Sequence, residues 1–112
     1  MQITHRTAGS ADILDLDGQF NFSARNAFTT ALGTLTKRGA THVLFNFRHV
    51  TFIDSAAIGL LAIAAQQCKL VKCTLGVVGA QGAVKQVLAL ARIDQLIPTF
   101  PDEAAALGGK AA

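Results

Sequence analysis

The sequence predicts an α/β fold in a single domain: a mostly parallel central sheet of four to five strands with helices packed on it. Three observations carry that expectation. Segments of β-forming residues alternate with segments whose apolar residues recur at helical spacing. The central run Val43-Leu44-Phe45-Asn46-Phe47 is apolar at nearly every position, the pattern of a strand covered on both faces. The 112 residues are 51% hydrophobic and only 15% charged, enough to bury a core without metal or disulfide support. Crossovers between parallel strands in such an order are right-handed.

Residues 2–5 and 11–16 read as strands separated by the turn-prone Ala8-Gly9-Ser10. The second places Ile13 between Asp12 and Asp15, so partial burial is expected, and Gly18 is expected to end it. Ser23 is the expected N-cap of the first helix. Behind it Ala24, Ala27, Phe28, Ala31, Leu32 and Leu35 form an apolar stripe, Lys37 and Arg38 complement the dipole of the last turn, and Gly39 stops the helix. After the strand at 43–47, residues 48–53 read as a connection and residues 56–70 as a second helix. Residues 74–78 form a further strand, and Val84, Val87, Leu88 and Ala91 mark a third helix. Residues 97–100 suit a short edge strand, to which Pro98 confines them, and 102–107 a last short helix capped by Asp102. The expected domain spans 1–107, with 108–112 a flexible tail.

Several function classes fit poorly. The formal net charge is +3, and the ten cations are scattered without interleaved aromatics, so no nucleic-acid footprint is expected. The longest apolar run, 56–65, is too short and too alanine-rich to cross a bilayer. No charged-then-apolar export pattern opens the chain, so a cytoplasmic location with reduced thiols at Cys68 and Cys73 is expected. Cys68 falls on the buried stripe of the second helix, as an inert core thiol would. His5, His42 and His49 show no ligand spacing, so no metal is expected. A serine triad of Ser55, Asp54 and His49 fails because the histidine must lie between the other two, whereas Asp54 and Ser55 are chain neighbours. Gly76, Gly79 and Gly82 miss the dinucleotide fingerprint and lack a Walker lysine, so no nucleotide cofactor is expected.

The informative stretch is Phe52-Ile53-Asp54-Ser55-Ala56-Ala57-Ile58-Gly59. Wound at about 100° per residue, the second helix gathers Leu60, Leu61, Ala64, Cys68 and Val71 toward the sheet. Its opposite face carries Ser55, Gly59, Ala62 and Gln66. A surface helix normally displays long polar side chains there. Glycine and alanine instead admit either a neighbouring element of the same domain or the flat surface of another protein. Spacing alone gives Ser55 a share with Asp54 in capping the helix. A phosphate on Ser55 would bring about two negative charges to a helix N-terminus, where the dipole favours them. The fold would survive, and a docked partner would meet new bulk and charge.

This stretch resembles the centre of the STAS domain, the module of bacterial anti-sigma factor antagonists and of the cytoplasmic tails of sulfate transporters. The family pattern is an apolar strand, a short connection, then Asp-Ser-Ser/Thr-Gly-Leu-Gly; residues 43–47, Thr51-Phe52-Ile53 and 54–59 match it in order. Upstream, Leu16-Asp17-Gly18-Gln19-Phe20-Asn21 resembles the family's Gly-Glu-Leu-Asp turn. Downstream, 83–88 and 93–97 resemble its third helix and exit. The resemblance implies a non-enzymatic regulator without a cofactor of its own. A serine-kinase anti-sigma factor would phosphorylate Ser55 from ATP, and a metal-dependent phosphatase of the PP2C type would reverse it. The implied docking surface is Asn21, Asp54, Ser55, Ala56, Gly59, Ala62 and Gln66, on a monomer or weak dimer. The sequence departs from the pattern at Ala56, where the family has a second hydroxyl, and at Ala57, where it has glycine. Gln19 and Asn21 stand where it has acids. These departures leave room for an alternative, a stand-alone STAS accessory subunit of a membrane transport ATPase complex that needs no phosphorylation.

Overall fold

A computed structural model describes residues 1–108. Most of the tail expected at 108–112 therefore lies outside the described residues. The strands are β1 (Gln2–Ala8), β2 (Ala11–Phe20), β3 (His42–Ile53), β4 (Thr74–Val78) and β5 (Thr99–Phe100), and the helices are α1 (Arg25–Lys37), α2 (Ser55–Leu70), α3 (Gly82–Leu90) and α4 (Glu103–Gly108). Single 3-10 turns precede α1, at Phe22–Ala24, and β5, at Ile93–Gln95. The five strands form one sheet in chain order. β1 and β2 pair antiparallel and every other pair is parallel, so the mostly parallel α/β domain expected from the sequence is observed.

Residues of β3 alternate between two apolar layers, which explains its unbroken hydrophobicity. Val43, Phe45 and Phe47 join a large core with the buried sides of α1, α2 and α3. Leu44 faces the other way, into a smaller cluster with Ala11, Ile13, Val78 and Ala106 of α4. Phe28 anchors α1 in the larger core, its ring centroid 5.0 Å from Phe20 and 5.2 Å from Phe45. Burying a side chain of that size contributes about 1.5–3 kcal/mol.

The structure corrects several local expectations. β2 does not end at Gly18 but continues to Phe20, and residues 48–53 are not a connection but the second half of β3, paired with Asp17–Phe20. Register shifts between Asp15 and Asp17 and between Gly18 and Gln19 break the alternation that would have marked these residues as strand. Gly18 adopts a φ of +108°, a conformation in which glycine lets the strand bend and go on. Ser23 is not the cap before α1: its amide donates to Asn21 Oδ1 at 3.0 Å, opening the 3-10 turn that runs into the helix. Ala27 is exposed on α1 rather than part of its stripe. On α2 the buried stripe is Ala57, Leu61, Ala64 and Cys68, with Leu60 half-buried and Val71 exposed. Ala91 likewise falls outside the buried side of α3. β5 is shorter than expected because Ile97, bonded through its amide to the Ile93 carbonyl at 2.8 Å, is drawn into the core by the preceding 3-10 turn. Asp102 caps α4 as expected, accepting from the Ala105 amide at 2.8 Å.

Candidate functional site

β3 delivers the chain to the start of α2 through Asp54, whose backbone is extended and whose carboxylate works in two directions. Oδ1 accepts from the Ala57 amide at 2.9 Å and satisfies one of the orphan donors of the helix. Oδ2 accepts from the Phe22 amide at 3.3 Å and ties the β2–α1 turn to the same end of the molecule. The Asp54 amide donates to the Phe20 carbonyl, also at 3.3 Å. Capping is therefore the work of Asp54 alone, and the share expected for Ser55 is not observed.

Ser55 is the first helical residue and is exposed, and no hydrogen bond of its hydroxyl is found among the described residues. The helix bonds begin with the Ile58 amide on the Asp54 carbonyl, which leaves the Ser55 and Ala56 amides outside that ladder. Along the outer face Gly59 and Gln66 are exposed and Ala62 is half-buried. A Cβ built on Gly59 meets nothing within 4 Å, so the domain's own chain does not cover this ridge. Ala56 is half-buried beside it. Asn21 and Asp54 lie at one end, bridged by the turn that both stabilise. Gln66 stands three helical turns further on, about 16 Å along the axis.

The sequence reading missed two residues here. Phe22 is 62% and Phe52 48% exposed, unusual for aromatics that large. Phe22 lies in the turn held by Asp54, with the Arg25 guanidinium 4.8 Å from its ring centroid. Phe52 pairs with Gln19 two residues before Asp54. Exposed aromatics beside small residues are the usual anchors of protein docking surfaces. The available signal was an aromatic next to polar turn residues, but periodicity does not reveal which side of a turn faces water.

The STAS-domain family model matches residues 2–106, nearly the whole chain. The chain belongs to the STAS family. No match is found among curated protein sequences. The fold is shared with an anti-sigma factor antagonist from Mycobacterium paratuberculosis, at a TM-score of 0.87 and 17% identity over 99% of this chain and 94% of that one. It is also shared with the phosphorylated form of the Bacillus cell fate determinant SpoIIAA, at 0.72 and 16% over 96% and 99%. A sulfate transporter family protein from Wolinella succinogenes aligns at 0.79 and 16% over 91% and 85%.

Elsewhere in this STAS domain the polar groups serve structure. His5 Nε2 lies 2.8 Å from Asp12 Oδ1, and Arg6 forks onto Asp15 and reaches Glu103 of α4. Among the described residues, no group of three or more His, Cys, Asp or Glu side chains is placed to hold a metal, and no helix is long and apolar enough to cross a membrane. Cys68 and Cys73 are both buried and unpaired as disulfides. Burial pushes the Cys68 thiol up to about 12 and raises that of Cys73 as well, so neither has a reactive thiolate at neutral pH. Gly76 serves packing: a Cβ there would lie 2.7 Å from Leu44 Cδ2.

Proposed function

We propose that this STAS domain is a partner-switching regulator of the anti-sigma factor antagonist kind, controlled at Ser55. The observation that carries the reading is an exposed serine, relieved of capping by its neighbour, at the first position of a 16-residue helix with an open small-residue ridge. Family membership and the likeness to anti-sigma factor antagonist folds support it.

In this scheme the unmodified domain docks, in the cytoplasm, a serine kinase that is also an anti-sigma factor. Contact runs through Asn21, Asp54, Ser55, Ala56, Gly59, Ala62 and Gln66. The kinase transfers the γ-phosphoryl of its bound ATP to Ser55 Oγ. The P–O bond to ADP breaks as the ester bond forms, and a base of the kinase takes the hydroxyl proton. The domain itself contributes position and no catalytic group. The phosphate sits near the Ser55 and Ala56 amides and the positive end of the α2 dipole, so it is tolerated by the fold. For the partner the same phosphate is a charge and an obstruction at the end of its footprint, and the complex separates. A PP2C-type phosphatase returns the serine by hydrolysing the ester with water. Incubation with the cognate kinase and ATP should modify Ser55 alone, read by phosphopeptide mapping, and Ser55→Asp should abolish the complex while Ser55→Ala retains it. Modification at another residue, or normal docking by Ser55→Asp, would overturn the reading.

The sulfate transporter family fold and the hydroxyl missing at Ala56 favour a second reading, an accessory subunit of a transport ATPase complex. Co-purification with a transporter ATPase, with Ser55 unmodified, would support that alternative.

A further inference from the structure

Beside the Ser55 ridge, on the next side of α2, a groove of about 360 Å³ runs between α1 and α2, within the range of small-molecule sites, about 300–1,000 Å³. Both helices follow strands of the parallel part of the sheet and so run side by side in the same direction. Arg25 and Leu60 stand at one end of the groove, Thr36 and Val71 at the other. From Arg25 to Thr36 it extends three helical turns, about 16 Å. The floor is Phe28, Leu32, Ala64 and Cys68, all buried and all apolar. A Cβ on Gly33 would meet nothing within 4 Å, so that glycine leaves the slot open instead of relieving a contact inside the domain. On the opposite wall Ile63 is 52% exposed and lines the slot.

The slot is apolar along its floor and charged at one end. Among the residues that line it there is no aspartate or glutamate and one cation, Arg25. Arg25 is exposed and forms no salt bridge among the described residues. Its guanidinium lies over the Phe22 ring, 4.8 Å from the centroid. A ring face takes up none of the in-plane N–H donors, which stay available for an oxyanion.

We propose that the α1–α2 groove binds a single-chain anionic amphiphile, a saturated fatty carboxylate whose head meets Arg25 and whose tail runs over Gly33 toward Val71. One cation takes one carboxylate, and the buried floor takes the chain. An extended chain of about twelve carbons, with C–C bonds of about 1.5 Å, covers the length of the slot. A partner helix fits less well. Helices in contact lie about 8–10 Å axis to axis, so the slot between them is narrower than a third helix, and a single charge would be left to orient it.

The full chain is titrated with octanoate, decanoate, dodecanoate and tetradecanoate, and with dodecanol and dodecyltrimethylammonium, each below its aggregation concentration. Calorimetry reads the affinity and amide chemical shifts read the site. Affinity should rise about threefold per methylene up to dodecanoate and then level off, with shifts at Thr29, Gly33, Ile63 and Gln67. Arg25→Gln should weaken dodecanoate about fivefold and leave dodecanol unchanged. Gly33→Leu, which fills the slot, should abolish binding of both. Leu90→Asp, on exposed α3 surface, and Ser55→Asp should leave binding intact, which separates this site from the switch. Unchanged amide dispersion verifies folding of each variant. Equal binding of dodecyltrimethylammonium, shifts located elsewhere, or affinity that climbs on undiminished past dodecanoate would overturn the proposal. So would an absence of binding, or concentration-dependent dimerisation through this face without ligand.

Discussion

Asp54 and Ser55 are chain neighbours with opposite surroundings, and substitution should tell them apart. Asp54→Ala removes the acceptor for the Ala57 amide and releases the Phe22 amide from its tether. The loss of such a cap costs about 1 kcal/mol, a fall in Tm of roughly 4–6 °C for a domain of this size, measurable by thermal denaturation followed by circular dichroism. Ser55→Ala should leave Tm unchanged, because the hydroxyl holds nothing within the fold. Gly59 offers a sharper contrast. It sits mid-helix, where glycine is costly, and the space its side chain would occupy is empty. Gly59→Ala should therefore raise stability by about 0.5–1 kcal/mol in urea unfolding, while weakening any partner that lies against the ridge. A gain in stability together with a loss of docking would show that this glycine serves recognition rather than folding.

Among the elements, α4 depends most on others. Six residues are too few to hold a helix alone; it is kept by Ala106 in the smaller apolar cluster and by Arg6, which joins Glu103 of α4 to Asp15 of β2. Arg6, with help from the Asn46 amide group at 2.7 Å, holds the Asp15 carboxyl below its ordinary value of 3.8. A depressed folded-state value means that the stabilisation is complete above the unfolded value and is lost as pH falls through the folded one. Stability attributable to Asp15 should thus be flat from neutrality to about pH 5 and decline only beneath 3.8. Asp15→Asn should flatten that acid-side decline, read from urea midpoints across the range. α1 and β4 were legible because their apolar spacing is regular and they stop at Gly39 and Gly79, whereas α2 and α3 are ended by Lys72 and Arg92 at positive φ, which no glycine or proline announces. The far halves of β2 and β3 were not: across two register shifts Phe47, Val50 and Ile53 are buried at every third position, which breaks the alternation of a strand. The polar latch on α4 was also hidden, since Arg6 and Glu103 are 97 positions apart.

In the whole molecule, one continuous core joins β2, β3 and β4 to α1, α2 and α3, from Leu14 through Phe45 to Ile97, and the Ser55 ridge lies outside it. The position of that ridge was legible because the Asp-Ser step and the small residues behind it are local features. Its aromatic flank was not, because Phe22 reaches the start of α2 only when Asp54 tethers the turn before α1 to the end of β3. A switch mounted on the rim of such a core should alter surface charge without loosening the packing. Cys68 and Cys73 can report this, since both are buried and both thiols are raised by burial, Cys68 to about 12. Thiolate is the reacting form, so at about pH 8 labelling by an aromatic disulfide reagent requires the core to open. In native protein both thiols should react slowly, at rates set by global unfolding and rising together with urea. Ser55→Asp should react no faster. Were the proposed phosphorylation to act by partly unfolding α2, the aspartate variant would expose Cys68 selectively and its labelling would outrun that of the unmodified domain; equal rates beside a lost complex would locate the switch in the contact surface itself.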